Sequence, residues 1–264
     1  MNAQSSDILA HESLLAFWRD AGVDACYLDE PFDHTVIKPL PTPATVQKLA
    51  AVAPSRGSVK GGPVSATVPA ARQMAASAET LDALVELVKA FDGCPLKHMG
   101  ARHALFGRGN PQADLLVIGD APSTDADNAG IAFESPAGRL MDRILKAAEL
   151  QDRTYLTHSV FWTPPGNRPP TPEEQAVCLP FIERAVQLIQ PKAVLLIGTV
   201  AARGILQTQD SLLKLQGRWQ EWTPQDHQTL PVMTTFHPGF LLQQPQAKGA
   251  VWRDMLNLKA RLNP

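Results

Sequence analysis

The 264-residue sequence has few cysteines, no long apolar run and almost no excess of charge of either sign. Its three cysteines, Cys26, Cys94 and Cys178, cannot all pair within one chain, and no Cys-x-x-Cys motif occurs. A disulfide framework and a complete four-cysteine metal site are therefore excluded. No apolar run approaches the ~18 residues of a membrane span, and the polar N-terminus does not resemble a signal peptide. These absences predict a soluble cytoplasmic protein.

The net charge of −2 is a sum over segments of opposite charge. Residues 1–34 carry seven acidic side chains and one basic one, and their apolar residues have helical spacing. Residues 35–78 carry five basic side chains and no acidic one, and they are rich in proline and glycine. We therefore predict an acidic N-terminal helical arm at 1–34, a flexible basic linker at 35–78 and a folded domain at 79–264. The near-neutral total excludes only a protein that holds nucleic acid by a strong positive field.

Strands alternate with helices in the predicted domain. Four short apolar runs are typical of buried parallel strands, namely residues 114–118, 155–161, 193–197 and 230–236. Helical patterns lie around them, at residues 81–91, 140–148, 171–189 and 247–262. The third of these helices begins with a capping box, Thr171-Pro172-Glu173-Glu174. The alternation predicts an α/β fold with three layers, α/β/α, around a central parallel four-stranded sheet.

Polar clusters follow three of the four predicted strands, at the edge where parallel sheets bind ligands. They are Gly119-Asp120-Ala121-Pro122-Ser123, Pro164-Pro165-Gly166-Asn167-Arg168 and His237-Pro238-Gly239-Phe240. Each cluster alone is also compatible with an ordinary turn, because Gly, Asp, Asn and Pro are turn residues. Their order and spacing, together with Gly130-Ile131-Ala132-Phe133, favour one shared site.

Taken together, these blocks resemble the family 4 branch of the uracil-DNA glycosylase superfamily over about residues 91–262. That family has Gly-Glu-Ala-Pro-Gly at the position of 119–123 and Gly-Arg-Pro-Phe at 130–133. The resemblance implies a monomeric DNA repair enzyme that acts on single- or double-stranded DNA. The enzyme would hydrolyse the N-glycosidic bond of uracil, or of another deaminated base, and leave an abasic site without a metal or nucleotide cofactor.

The resemblance also implies two catalytic side chains, Asp120 and His237. A glycosylase holds a base outside the stack and stabilises the leaving base anion and a positively charged sugar. His237 and the backbone N–H groups near Ala121 would donate hydrogen bonds to the base anion. Asp120, where the family has Glu, would orient or activate the attacking water.

The remaining candidate residues are assigned to the base or to phosphates. Phe133 supplies the aromatic face on which a flipped base can stack. The base-binding candidates are Gly119, Ala121, Phe133, His158 and Asn167. The candidate phosphate contacts are Arg168, Lys248 and Arg253, although isolated basic residues are common on any surface.

The sequence departs from the family at positions that bind a cofactor and at a position that determines which base is recognised. Typical members hold an iron–sulfur cluster on four cysteines, but here only Cys94 and Cys178 match, and Phe91 and Trp162 stand at the other two positions. We predict no cluster, with the two cysteines as remnants of its site. His158 replaces an Asn that reads the edge of uracil, which leaves the preferred base open.

Two alternatives remain at this point. In the first, the chain is a catalytically impaired DNA-binding relative that recognises a flipped base or a strand end without cleavage. An unrelated doubly wound hydrolase or phosphate-binding protein would use Asp125-Ala126-Asp127 as an acidic site. The last interpretation is the weaker one, because the sequence has neither a Gly-x-Ser-x-Gly nor a Gly-x-x-x-x-Gly-Lys motif.

Overall fold

A mixed six-stranded sheet forms the centre of the computed structural model, which describes residues 64–263. In chain order its strands are β1 (Gly107–Gly109), β2 (Leu115–Gly119), β3 (Thr154–His158), β4 (Ala193–Ile197), β5 (Trp219–Trp222) and β6 (Leu230–Thr235). The spatial order is β1-β3-β2-β4-β6-β5, with β3, β2, β4 and β6 parallel and the two outer strands antiparallel. The four predicted parallel strands are confirmed. The sequence did not indicate the edge strands β1 and β5.

Helices cover both faces of the sheet. In chain order they are α1 (Val64–Ala76), α2 (Leu81–Ala90), α3 (Thr124–Ala129), α4 (Pro136–Ala147), α5 (Pro172–Ile189), α6 (Thr199–Leu206), α7 (Leu212–Leu215), α8 (Pro238–Gln243) and α9 (Lys248–Leu262). One apolar cluster joins α1, α2, α5 and α6 to one face, and a second joins α3, α4, α8 and α9 to the other. The three-layer α/β/α prediction is thus confirmed. None of the helices within residues 64–263 is long and apolar enough to cross a membrane.

The central strands are buried because both faces are covered. Every residue of β2, β3 and β4 is buried, which explains the continuous apolar sequences of β2 and β4. Alternate residues of β2 point to opposite layers: Leu116 and Ile118 join one cluster, and Leu115 and Val117 join the other. The carboxyl ends of these strands therefore lie at one edge of a rigid support.

Helix α1 lies where the sequence predicts part of the flexible linker. Ala71 and Ala75 are buried in the cluster that contains α5, and Arg72 donates to Glu183 on α5 at 2.8 Å. Small alanines and Pro69 give a weak helical signal in sequence, so this helix depends on the surface of α5 for its stability. The predicted arm at 1–34 and the linker up to residue 63 lie outside the described residues.

The predicted capping box at the start of α5 is confirmed. The Thr171 hydroxyl accepts from the Glu174 N–H at 3.2 Å, and the Glu174 carboxylate accepts from the Thr171 N–H at 2.8 Å. The helix continues through Pro180 to Ile189. This fixed start anchors the loop at 164–171 next to the carboxyl edge of the sheet.

Candidate active site

A small cavity lies at the carboxyl ends of the parallel strands. It has a volume of about 70 Å³ and is lined by Ala121, Ser123, Ala126, Phe133, Ser135, Ala137, Gly138, His158, Ile197, His237 and Pro238. The structure therefore brings together four of the residues singled out from the sequence, from four separate segments of the chain. Gly119 lies against the same side chains, because a Cβ added there would be 3.1 Å from the Phe133 ring and 3.4 Å from the His158 ring.

Phe133 and His158 stack on each other in this cavity. Their ring centroids are 4.0 Å apart and the ring planes differ by 15°. Phe133 has a φ of 62°, a left-handed backbone conformation that costs about 1–3 kcal/mol in a non-glycine residue. Its backbone is held against Gly138, where an added Cβ would lie 1.7 Å from the Phe133 carbonyl oxygen. The position of the Phe133 ring thus depends on a close backbone contact that only glycine permits.

Arg108 on β1 braces the same loop. Its guanidinium donates to the Ala132 carbonyl at 2.7 Å and to the Asp142 carboxylate at 2.7 and 2.8 Å. No role for Arg108 could be predicted from sequence, because its partners lie 24 and 34 residues away along the chain.

His158 is a neutral imidazole with an unpaired nitrogen. It is 4% exposed, and burial, together with nearby His237, lowers its pKa to about 3. Its Nδ1 is buried and has no hydrogen-bond partner among the described residues. The position predicted to read the base therefore holds a ring that stays uncharged at physiological pH.

His237 is held in one tautomer by the start of α8. Its Nδ1 accepts from the Gly239 N–H at 3.0 Å, so the ring carries its proton on Nε2 when it is neutral. Burial lowers the pKa of His237 from its usual value, which favours the neutral ring. His237 is thus a neutral hydrogen-bond donor in the wall of the cavity.

Asp120 points towards the start of α6 rather than into the cavity lining. Its carboxylate accepts from the Ala201 N–H at 2.8 Å, and Gly198 leaves room for it, since an added Cβ there would lie 2.3 Å away. Burial raises the pKa of Asp120 to about 6, against the opposing effect of the backbone N–H groups of Ala201 and Val200. A carboxylate with this pKa is mostly ionised at pH 7 and titrates just below it.

Asn167 and Arg168 shape the loops around the cavity and do not line it. The Asn167 side-chain oxygen accepts from the Thr124 N–H at 2.9 Å and from the Thr124 hydroxyl at 3.0 Å. The Arg168 guanidinium makes a two-point pair with the Glu174 carboxylate at 2.6 and 2.8 Å. Both contacts tie the loop at 164–168 to its neighbours.

The other two basic candidates are free of such pairing. Lys248 and Arg253 are exposed on α9 and make no ion pair with another described residue. They therefore remain available to a negatively charged ligand.

A family model described as the Uracil DNA glycosylase superfamily matches residues 106–257 of the chain. The chain belongs to the uracil DNA glycosylase superfamily. It is 30% identical over 167 residues to a type-4 uracil-DNA glycosylase of Thermotoga maritima, a match that covers 62% of this chain and 84% of that protein. It is 27% identical over 180 residues to the type-4 enzyme of Pyrobaculum aerophilum, covering 66% of this chain and 91% of that protein. The resemblance drawn from the sequence motifs is thus confirmed.

The four-cysteine cluster typical of family 4 does not fit the residues of this superfamily member. Cys94 and Cys178 are buried, and their thiols hydrogen-bond to each other, which lowers the pKa of Cys94. Phe91 and Trp162 are buried at the other two positions and belong to the same apolar cluster. Within residues 64–263, no group of three or more His, Cys, Asp or Glu side chains is arranged to hold a metal. The site offers two thiols and two aromatic rings where a cluster needs four thiolates.

Asp127 has a structural role in this superfamily member. Its buried carboxylate accepts from the Arg102 N–H at 3.0 and 3.1 Å and from the His103 N–H at 2.9 Å. The carboxylate fixes the segment before β1 and is not arranged as an acidic hydrolase site. Together with the family assignment, this contact disfavours the unrelated hydrolase considered from the sequence.

Proposed function

We propose that the protein is a DNA repair enzyme, a uracil-DNA glycosylase that hydrolyses the N-glycosidic bond of uracil in DNA and leaves an abasic site. The observation that carries the proposal is the meeting of Phe133, His158 and His237 in one cavity of a uracil DNA glycosylase superfamily member. A flipped base needs an aromatic face and a donor at its edge. Phe133 has such a face, covered by the His158 ring in this structure, and His237 has the donor.

His237 is assigned to the leaving group. As the bond between the sugar C1′ and uracil N1 breaks, the bonding electrons move onto the base and charge develops on its carbonyl oxygen. The neutral His237 ring, with its proton on Nε2, donates to that oxygen. Backbone N–H groups at the turn of Ala121 are a second source of donors, each worth roughly 3 kcal/mol where water is excluded.

Asp120 is assigned to the sugar and the attacking water. Its carboxylate lies outside the lining of the base cavity and is fixed by the Ala201 N–H. An ionised carboxylate there stabilises the positive charge on the sugar and accepts the proton of the water that forms the new bond to C1′. The contact with the start of α6 is consistent with this proposed role, because it holds the carboxylate in one place.

The DNA backbone contacts are assigned to Lys248 and Arg253, the exposed basic residues of α9. Arg168 and Asn167 hold the loop at 164–168 in shape through Glu174 and Thr124. We infer that this loop lies next to the flipped nucleotide, and that Asn167 contributes to base binding through the loop.

We propose that the enzyme works as a cytoplasmic monomer without an iron–sulfur cluster. The absence of a cluster is supported by Phe91 and Trp162, whose buried aromatic rings stand at the positions of two of the four cysteine ligands. Purified protein should be colourless and free of iron. A brown protein with four irons per chain would refute this part of the proposal.

The activity is tested with an oligonucleotide that carries one uracil, followed by alkaline cleavage of the abasic product. We expect product from the wild type and about a 10²-fold slower reaction from His237→Ala, because a preorganised donor is lost. His227→Ala, at a histidine outside the cavity, is the matched control and should leave the rate unchanged. Retained DNA binding without any product would instead identify a binding relative and refute the enzyme.

A further inference from the structure

The ring of His158 lies where a flipped base would stack. A base on Phe133 needs the face of that ring, and the His158 imidazole lies almost parallel to it at 4.0 Å. The remaining cavity, about 70 Å³, is well below the ~300–1,000 Å³ of typical ligand pockets. A pyrimidine therefore cannot enter while the imidazole stays in place.

The imidazole is only partly satisfied in this position, because it hydrogen-bonds to the Leu105 backbone but not through Nδ1. Its Nδ1 is buried without a partner among the described residues, and a buried polar atom without a hydrogen bond destabilises the arrangement that contains it. Rotation of the side chain would let Nδ1 reach water or a base. The unpaired Nδ1 therefore lowers the free-energy cost of opening the stack.

The backbone on both sides of His158 is fixed, so only the side chain needs to move. The Thr157 hydroxyl donates to the Phe106 carbonyl at 2.6 Å, and the Ser159 N–H donates to the Gly119 carbonyl at 2.8 Å. Gly119 has no side chain to clash with either ring. Opening is therefore a change of rotamer that breaks the hydrogen bond to the Leu105 backbone and leaves the sheet intact.

We propose that His158 is the gate of the base pocket: its imidazole covers Phe133 in the free protein and is displaced when a single-ring base enters. The inference rests on the proposed glycosylase function and narrows its substrate class. The imidazole vacates the space of one ring on Phe133, so the pocket takes a pyrimidine such as uracil and excludes the two-ring base hypoxanthine. His158 thus determines which deaminated base is accepted.

The closed gate is tested by proton NMR of the histidine rings. In the free protein, the His158 ring protons should be shifted upfield by the Phe133 ring current, and Phe133→Leu should abolish that shift. Adding DNA with slowly cleaved 2′-fluoro-2′-deoxyuridine should move these protons downfield, whereas matched DNA with cytosine should not. An ordinary shift in the free protein, or a shift unchanged by the uracil analogue, would overturn the gate.

The gate is tested separately by substitution. His158→Ala should bind the 2′-fluorouridine DNA about tenfold more tightly, because no aromatic stack has to be broken, and should gain cleavage of hypoxanthine. His158→Phe, a larger ring with no unpaired nitrogen, should bind the same DNA more weakly than the wild type. If the wild type cleaves uracil but also cleaves hypoxanthine equally fast, the gate is wrong and the glycosylase stands. If the wild type neither binds nor cleaves uracil DNA, both fail.

Discussion

Asp120→Asn should make the folded protein more stable at neutral pH. The wild-type carboxylate has its pKa raised from 3.8 to about 6 by burial. The folded state therefore binds the proton more tightly than the unfolded state, and stability falls as the pH rises from about 4 to 6. Asparagine is neutral at every pH and has nearly the same shape, so the substitution removes this loss of folding stability.

The magnitude follows from the two pKa values. The difference between 3.8 and about 6 corresponds to about 3 kcal/mol at pH 7, at ~1.4 kcal/mol for each pH unit. At pH 4, where folded Asp120 is protonated, the resulting destabilisation of the folded state is only about 0.5 kcal/mol. The pKa of about 6 already includes the hydrogen bond from the Ala201 N–H, but the Asn amide brings one more N–H donor than the protonated carboxyl into a buried site, which costs about 1 kcal/mol. We therefore expect Asp120→Asn to gain about 2 kcal/mol at pH 7.

The assay is urea unfolding of the full chain at pH 7 and pH 4. With a slope of ~2 kcal/mol per molar urea, the midpoint at pH 7 should rise by about 1 M. Asp114→Asn is a control of opposite sign, because the Asp114 carboxylate pairs with Arg153 at 2.7 Å and Lys192 at 2.8 Å, and its pKa is lowered. A less stable Asp120→Asn at pH 7, or a gain that is equal at both pH values, would show that burial of the Asp120 carboxylate does not destabilise the folded protein.

The other predictions concern the rate, the loop and the DNA contacts. Cleavage by the wild type should fall about tenfold per pH unit below about pH 6, where Asp120 becomes protonated, and a profile flat down to pH 5 would contradict its role. Gly138→Ala should destabilise the protein by more than ~1 kcal/mol in thermal unfolding and slow cleavage, because the added Cβ would clash with the Phe133 carbonyl. The control Gly249→Ala should be neutral or stabilising, because no atom lies within 4 Å of its added Cβ. Lys248→Ala should weaken binding to every DNA sequence and reduce the slope of log Kd against log salt concentration by about 1. An unchanged slope would show that Lys248 does not contact a phosphate.

Elements whose signals are local could be predicted from the sequence alone. The continuous apolar run of β2 and the Thr-x-x-Glu box at the start of α5 are read from neighbouring residues, and both are confirmed. The parallel order of the strands also implied that the clusters after them meet at one edge. Ala121 and His237 do line one cavity there, whereas Asn167 and Arg168 do not. The elements missed were the edge strands β1 and β5 and the helices α1, α3, α6, α7 and α8. Each is short or rich in small residues and is stabilised by a partner that is distant along the chain.

The directions of the polar side chains depend on the folded chain and could not be predicted from the motifs. Asp120 binds the start of α6, 81 residues away, and Asn167 binds Thr124, 43 residues away. His158 covers Phe133, so the residue that replaces the family's Asn also closes the pocket. The physical reason is that a motif fixes residue types and backbone turns, whereas the direction of a side chain depends on which donors and rings the folded chain brings within reach.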